Sequence, residues 1–326
     1  MIQTHVLTPA GVEPHDDVGE AKAATGTTWV RVSDGTTEEM RAVCETFGIH
    51  DLELEDVRLG VRPKVEEFDD HAFVLVKSAR LRGGDTTFEE ELSDQPVGVF
   101  LGEDWLVTLS TGTLPAVGRV WEAATREEKR LLSRGPDFLA YRVLDALVDE
   151  YFDVLDEIET DIEAVEDAVV GATGIDTLER INSLRRELLA TRRLLWPTRD
   201  ALSTFARGDV DVVADQTEKY YRDVQDHVVQ LVELVETYRD LVTGARDIYL
   251  NSLSMSTNEV MKRLTVVATI ILPLTFVVGV YGMNFGGDSP YNMPELAWEF
   301  GYPAVMLGMA GVSVVLVAYF QREGWL

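Results

Sequence analysis

The side chains able to do acid–base or nucleophilic chemistry are present in this sequence, but not in arrangements that catalysis uses. The five histidines, His5, His15, His50, His71 and His227, form no HExxH or HxH pair. No GxSxG turn occurs, and no GxxxxGK[ST] loop is there to cradle a phosphate. An enzyme is not expected. His50 stands among acids in His50-Asp51-Leu52-Glu53-Leu54-Glu55-Asp56 and reads as the start of a solvated helix. His227 follows Asp223 by four residues, a helical spacing that can hold a metal, although one such pair on an acidic helix reads as surface. Cys44 is the only cysteine, which removes disulfides and four-cysteine zinc sites and leaves a small core residue.

A more informative spacing lies near the end of the chain. Asn258, Met261, Leu264, Ala268, Leu272, Thr275, Gly279 and Gly282 fall at steps of three or four, one face of a helix that becomes smaller and more polar toward Gly282. Such a face can pack closely against another helix or line a path for ions, and spacing alone supports both equally.

The elements that carry this face are legible. Residues 264–281 and 302–320 are uncharged apolar runs long enough to approach a ~30 Å hydrocarbon core. They predict a transmembrane hairpin with both termini on one side. The amino terminus has neither a basic n-region nor an apolar h-region. Lys262, Arg263 and Arg322 flank the spans, and the loop at 282–301 has no basic residue, so both termini are expected in the cytoplasm. Ala304 and Gly308 on the second span read as a packing contact.

Before the membrane, residues 27–110 contain short β-rich runs, with a hairpin signal at Gly102-Glu103-Asp104 and a helix between a Thr36/Glu39 capping box and Gly48. From Pro136 the pattern is helical. A seam of Leu144, Val148, Tyr151, Leu155, Ile158, Ile162, Val165 and Val169 runs to a break at 171–174, and a second helix is expected over 178–196, ending before Pro197. A third helix from 218 to 281, about 95 Å long, carries the seam Val224, Val228, Leu231, Val235, Tyr238, Val242 and Ala245. That seam and the one-sided membrane face call for neighbours, hence an oligomer. The expected fold class is an α/β N-terminal cytoplasmic domain followed by a long-helix stalk and a C-terminal two-helix transmembrane hairpin. Its divisions are 1–130, 131–263, 264–281, 282–301, 302–320 and a tail at 321–326.

The net charge is -28 over 326 residues, and only six of the 29 basic residues are lysine. This excludes nucleic acid as a partner and suits a salt-rich cytoplasm.

Tyr281-Gly282-Met283-Asn284-Phe285 at the outer end of the first span, Met293-Pro294-Glu295-Leu296 after it, Asn258-Glu259-Val260-Met261-Lys262 before it and the final Trp325-Leu326 together resemble the CorA magnesium-transporter family. The likeness extends more thinly to Arg62-Pro63-Lys64-Val65-Glu66 and Leu147-Val148-Asp149-Glu150-Tyr151-Phe152. The resemblance implies a homopentamer in the cell membrane, with a funnel-shaped cytoplasmic part and the first span lining the pore. It favours pore lining for the face from Asn258 to Gly279. It also implies a selectivity filter at Gly282, Met283 and Asn284, Glu295 as part of the entrance motif, and Mg2+ as both cargo and regulatory ligand. Asp223, in Tyr221-Arg222-Asp223-Val224, resembles a residue that binds divalent ions between subunits, with Asp85 as the chosen partner acid.

Three departures stand out: Gln321-Arg322-Glu323-Gly324 where a basic cluster is common, Leu272 where methionine is frequent, and the longer outer loop Gly286-Gly287-Asp288-Ser289-Pro290-Tyr291-Asn292. Mg2+ dehydrates reluctantly and the spans hold no acid, so the expected cargo is the hydrated ion, with Co2+ or Ni2+ as further candidates. It would move inward by electrodiffusion past an apolar constriction at Met261 and Leu264. Two alternatives are a zinc-handling, proton-coupled member of the same superfamily and a non-transporting membrane-anchored cation sensor.

Overall fold

The computed structural model describes residues 1–8, 10–81, 92–126, 131, 134–171, 174–283 and 291–325. The chain forms two compact units, Met1–Asp247 and Ile248–Leu326.

In the first unit a seven-stranded sheet is built from β1 (Ile2–Thr8), β2 (Gly11–His15), β3 (Thr27–Val32), β4 (Lys64–Glu67), β5 (His71–Leu81), β6 (Leu92–Gly102) and β7 (Trp105–Ser110), in the order β2-β1-β3-β7-β6-β5-β4. Of its pairings, β3 with β7 is parallel and the rest are antiparallel. The sheet type, open in the sequence, is therefore mixed. The Gly102-Glu103-Asp104 hairpin forms as expected, pairing Leu101 with Leu106.

Residues 72–76 of β5, 97–101 of β6 and 105–107 of β7 are apolar without alternation because helices pack on both faces. On one face lie α2 (Thr37–Phe47) and α3 (Asp51–Leu59), which share a core with Phe73, Leu75, Phe100, Trp105, Val107 and Leu109. α2 begins at the Thr36/Glu39 capping box and stops at Gly48, whose φ of 77° is left-handed. The approach of α3 is close: a Cβ on Gly98 would stand 2.5 Å from Val57 Cγ2. α1 (Val18–Ala23) and α4 (Pro115–Thr125) are further short helices.

Two long helices, α5 (Pro136–Gly171) and α6 (Ile175–Ala206), lie against the sheet. Tyr151 donates its hydroxyl to the Lys77 carbonyl at 2.8 Å, and Glu150 accepts from Ser78 at 2.6 Å and from Arg80 at 3.0 Å, tying α5 to β5. α7 (Asp215–Tyr281) is a single 67-residue helix that begins three residues before the expected start. Its Tyr221 donates to the Asp137 carbonyl at 2.8 Å and stacks on Phe205, 4.9 Å between centroids.

Three expectations need correction. The chain does not wait for residue 27 to form strands, because β1 and β2 already make a hairpin. Gln3, Thr4 and His5 obscure the alternation of β1, and Pro14 argues against β2 except at a sheet edge, which is where β2 lies. The second long helix does not end at Pro197 but runs through it to Ala206. An interior proline costs about 3 kcal/mol. Beyond it Ala201, Leu202 and Phe205 are buried, and large apolar side chains return roughly 1.5–3 kcal/mol each. Finally, the α7 seam from Val224 to Ala245 is buried within one chain, so this seam does not require a second copy.

The second unit contains the membrane part of α7, a 3-10 turn (Pro294–Ala297) and α8 (Gly301–Arg322). Both helices include stretches long and apolar enough to cross a membrane, with mean hydropathy of 2.3 and 2.0.

Candidate functional site

Two places in the structure hold the residues singled out by sequence. The first is the membrane part of α7. Lys262, Val266, Ile270, Leu274, Val277 and Tyr281 form one row of buried or half-buried residues, matched on α8 by Val305, Met309, Ser313, Leu316, Val317 and Phe320. On nearly the opposite side of α7, Asn258, Met261, Leu264, Leu272, Thr275 and Gly279 are exposed and Ala268 is half-buried. The hairpin therefore uses one side of α7 and leaves the predicted pore face uncovered. That face contains no charge from Leu264 to Gly279. The Thr275 hydroxyl donates back to the Ile271 carbonyl at 3.0 Å, which leaves the lone pairs of its oxygen to accept. Gly279 has nothing within 4 Å of a would-be Cβ.

At its carboxyl-terminal end α7 closes with Gly282 donating to the Val278 carbonyl at 2.9 Å and Met283 to that of Val280 at 3.2 Å, and both residues are exposed. Asn284 lies outside the described residues. Glu295 belongs to the 3-10 turn, with its side chain outside what the structure describes. Ala304 and Gly308, expected to pack, are instead exposed within the single chain, and among the described residues no atom outside their own helix would stand within 4 Å of a Cβ on Gly308. They lie off the row that α8 turns to α7.

The second place lies between α5 and α7 and was only half visible in the sequence. Ligand-capable atoms of Asp145 and Asp149 on α5 and His227 on α7 lie within 4.8 Å of one another. His227 Nδ1 is shut off from solvent with no hydrogen-bond partner among the described residues, and its ring meets Phe152 edge-on at 6.0 Å. Burial, and then the Asp149 charge, push the Asp145 carboxyl above its usual range. Arg142, 3.9 Å away, and His227 oppose that rise, while Asp223 adds to it. Asp223 is exposed and its field reaches both Asp145 and the Tyr141 hydroxyl. An oxygen–oxygen–imidazole set with surplus negative charge suits a divalent cation.

His227 is thus turned toward α5 and is not a plain surface residue. Sequence reading missed Asp145 and Asp149 because the partners of His227 are some eighty positions upstream. Their own i, i+4 spacing on one helix was the signal available. Asp85 lies outside the described residues.

The remaining histidines have structural places. His50 caps α3, accepting from Leu52 N at 3.1 Å, as expected for a helix start. His71 sits in the core between Glu53 (3.0 Å) and Asp70 (2.7 Å).

The fold and these sites define a two-span membrane protein in which one helix continues from an α/β and helical unit into a membrane hairpin whose charge-free face is uncovered among the described residues. The chain belongs to the CorA-like Mg2+ transporter family, whose description matches residues 24–322. The cobalt/magnesium transport protein CorA of Thermotoga maritima is 37% identical over 304 residues, covering 92% of this chain and 83% of that protein. A protein of the same description from Methanocaldococcus jannaschii is 27% identical over 303 residues, 91% of each chain. Among solved structures, the CorA magnesium transporter from Methanocaldococcus jannaschii superposes with a TM-score of 0.83 at 24% identity, covering 100% of this chain and 99% of that one. The cytoplasmic domain of ZntB from Vibrio parahaemolyticus superposes with 0.63 at 13% identity, covering 78% and 98%. At these identities the structural likeness is one of fold.

Proposed function

We propose that this protein is a passive, channel-type transporter that carries hydrated Mg2+, with Co2+ or Ni2+ as further cargo, into the cytoplasm. The observation that carries this reading is the face of α7 from Asn258 to Gly279, left uncovered by the hairpin and free of charge across the span. Copies of this face gathered around an axis, five by family resemblance, make a path with apolar rings at Met261, Leu264 and Leu272 and acceptor rings at Asn258 and Thr275. Such rings accept hydrogen bonds from the ion's water shell without stripping it, as Mg2+ requires. The driving force is the membrane potential, about 2.3 kcal/mol per elementary charge per 100 mV and twice that for a divalent ion. Both termini then face the cytoplasm.

At the outer end Gly282, Met283 and Asn284 form the filter, five Asn284 amides selecting by size and water orientation, with Glu295 at the approach. Cytoplasmic divalent ions regulate the path through Asp223 and the neighbouring Asp145, Asp149 and His227. Asp85 remains the proposed partner acid from a neighbouring copy. Like charges that repel when empty draw together around a cation, so high internal Mg2+ closes the path.

The test is flux of Mg2+ into liposomes containing the purified full chain. Asn284→Ala is expected to cut the rate about tenfold or more with the oligomer mass unchanged in detergent. Asn284→Asp should also slow flux, because clustered charge holds a divalent ion longer. Parental rate and ion preference in Asn284→Ala would falsify the filter assignment. The absence of flux from the parental chain would remove the transport reading.

A further inference from the structure

The carboxyl-terminal Trp325 has no part in the path just described, yet the structure gives it a definite place. α8 ends at Arg322, and Gly324 takes a left-handed φ of 68°. This turns the tail back, with Gly324 donating to the Gln321 carbonyl at 3.1 Å and Trp325 to that of Phe320 at 2.8 Å, the double bond pattern that closes a helix. The Trp325 ring consequently lies on Phe320, 5.8 Å between centroids and 29° between planes. Lys262 reaches the same spot from α7. Its ammonium donates to the Gly324 carbonyl at 2.5 Å and stands 5.7 Å from the centre of the Trp325 ring.

Position makes this contact informative. Among the described residues of the two spans, Val266 (2% exposed) and Phe320 (7%) are the buried ones, and both lie toward this end of the hairpin. Lys262 lies one turn before Val266 on the same row. The neighbouring cation, Arg263, is paired with Glu259 at 2.5 Å. Lys262 has no carboxylate partner among the described residues. It is held by a carbonyl and an aromatic face, which fix the ammonium in place without supplying a counter-charge. Lys262 also directly follows Met261 and is one turn after Asn258, the inner residues of the uncovered face. A released lysine has a long flexible stem that can carry its ammonium around α7 toward that face.

We propose that Trp325 and the Gly324 carbonyl are a clamp that holds the Lys262 ammonium on the α8 side of α7, keeping positive charge out of the ion path. The role rests on assigning the Met261 face to that path. Trp325 is then a positioning residue acting through Lys262: without it, one mobile ammonium per copy stands at the inner mouth and repels a doubly charged ion. Gly324 is part of the same device, because a left-handed backbone there directs its carbonyl, and other residues adopt that conformation at a cost.

The experiment uses the full chain in liposomes with Trp325→Ala, Trp325→Phe, Lys262→Gln and the double variant Lys262→Gln/Trp325→Ala. Mg2+ influx should fall about tenfold in Trp325→Ala, stay within about twofold of parental in Trp325→Phe, and return to the Lys262→Gln level in the double variant. Recovery by removing a charge is something a purely structural role for Trp325 does not produce. A double variant as slow as Trp325→Ala, or a Trp325→Ala as fast as the parent, overturns the proposal.

A second readout does not depend on transport. Amine-reactive labelling followed by mass spectrometry should find Lys262 protected in the parent and exposed in Trp325→Ala. Equal labelling in both overturns the clamp. A labelling difference in a parent that passes no Mg2+ supports the clamp and removes the transport reading instead.

Discussion

The side chains of His71 and Glu53 are each only 2% exposed, and their contact is 3.0 Å. Asp70 holds the other ring nitrogen at 2.7 Å. Burial by itself pulls the imidazole pKa down, but hydrogen bonds and charges from Glu53 and Asp70 together outweigh it, and the result lies above the ordinary value. A folded-state pKa above the unfolded one gives stability that is fully present below about pH 6.5. It is lost as pH rises through the raised value. Glu53→Gln should therefore lower the melting temperature most near pH 6 and progressively less toward pH 9. The loss at the acid end is expected to be of the order of 3–5 kcal/mol, the size seen when a buried pair loses one member. Thermal melts of the full chain in detergent across that range provide the check, and a gap that widens with pH would contradict the pairing. Glu53 is recognisable in sequence as the third residue after the His50 cap. Its partnership with His71, on a different strand, is not, because the hydrogen bond follows from α3 lying across the sheet.

The long helices read differently by segment. The Thr36/Glu39 box, the end of α7 at Tyr281 and the seam residues of α5 and α7 all follow from signals within a few residues of themselves, and they form where those signals place them. What local signals do not contain is the identity of the covering surface. The α7 seam is equally compatible with a neighbouring subunit and with the chain's own α5 and α6, and burial of Leu231 within one protomer decides the matter. Leu231→Ala should accordingly cost about 2–5 kcal/mol. Because the covering residues belong to the same chain, the fall in melting temperature should be the same at low and high protein concentration. A shift that grows on dilution would return the seam to an intersubunit role. Pro197 teaches the complementary point, since a local breaker loses to the apolar contacts made on its far side.

For the whole molecule, the proposed function carries a consequence for regulation. Asp145 and Asp149 on α5 meet His227 on α7, and the field of Asp223 reaches Asp145. If this set is the cytoplasmic sensor, Asp145→Asn and Asp223→Ala should each move the internal Mg2+ concentration that halves influx upward by about tenfold, equivalent to about 1.4 kcal/mol of binding. Added Mg2+ should also raise the melting temperature less in these variants than in the parent. Unchanged Mg2+ dependence of flux in both variants would show that sensing resides elsewhere on this acidic chain.

The sequence alone determined the two spans, the charge-free face of α7, the likeness at Gly282-Met283-Asn284 and the division into an α/β part, long helices and a hairpin. Each depends on hydropathy, spacing or identity along a continuous stretch, and such quantities survive without coordinates. The tertiary structure decided the rest: the mixed order of the sheet, the in-chain covering of the seam, the open position of Ala304 and Gly308, the turning of His227 toward two aspartates, and the meeting of Lys262 with Trp325 across the hairpin. These are contacts between residues far apart in the chain. Sequence patterns show that a helix face must be covered or that a charge must be held. Only the packing of one element on another fixes which surface or group does so.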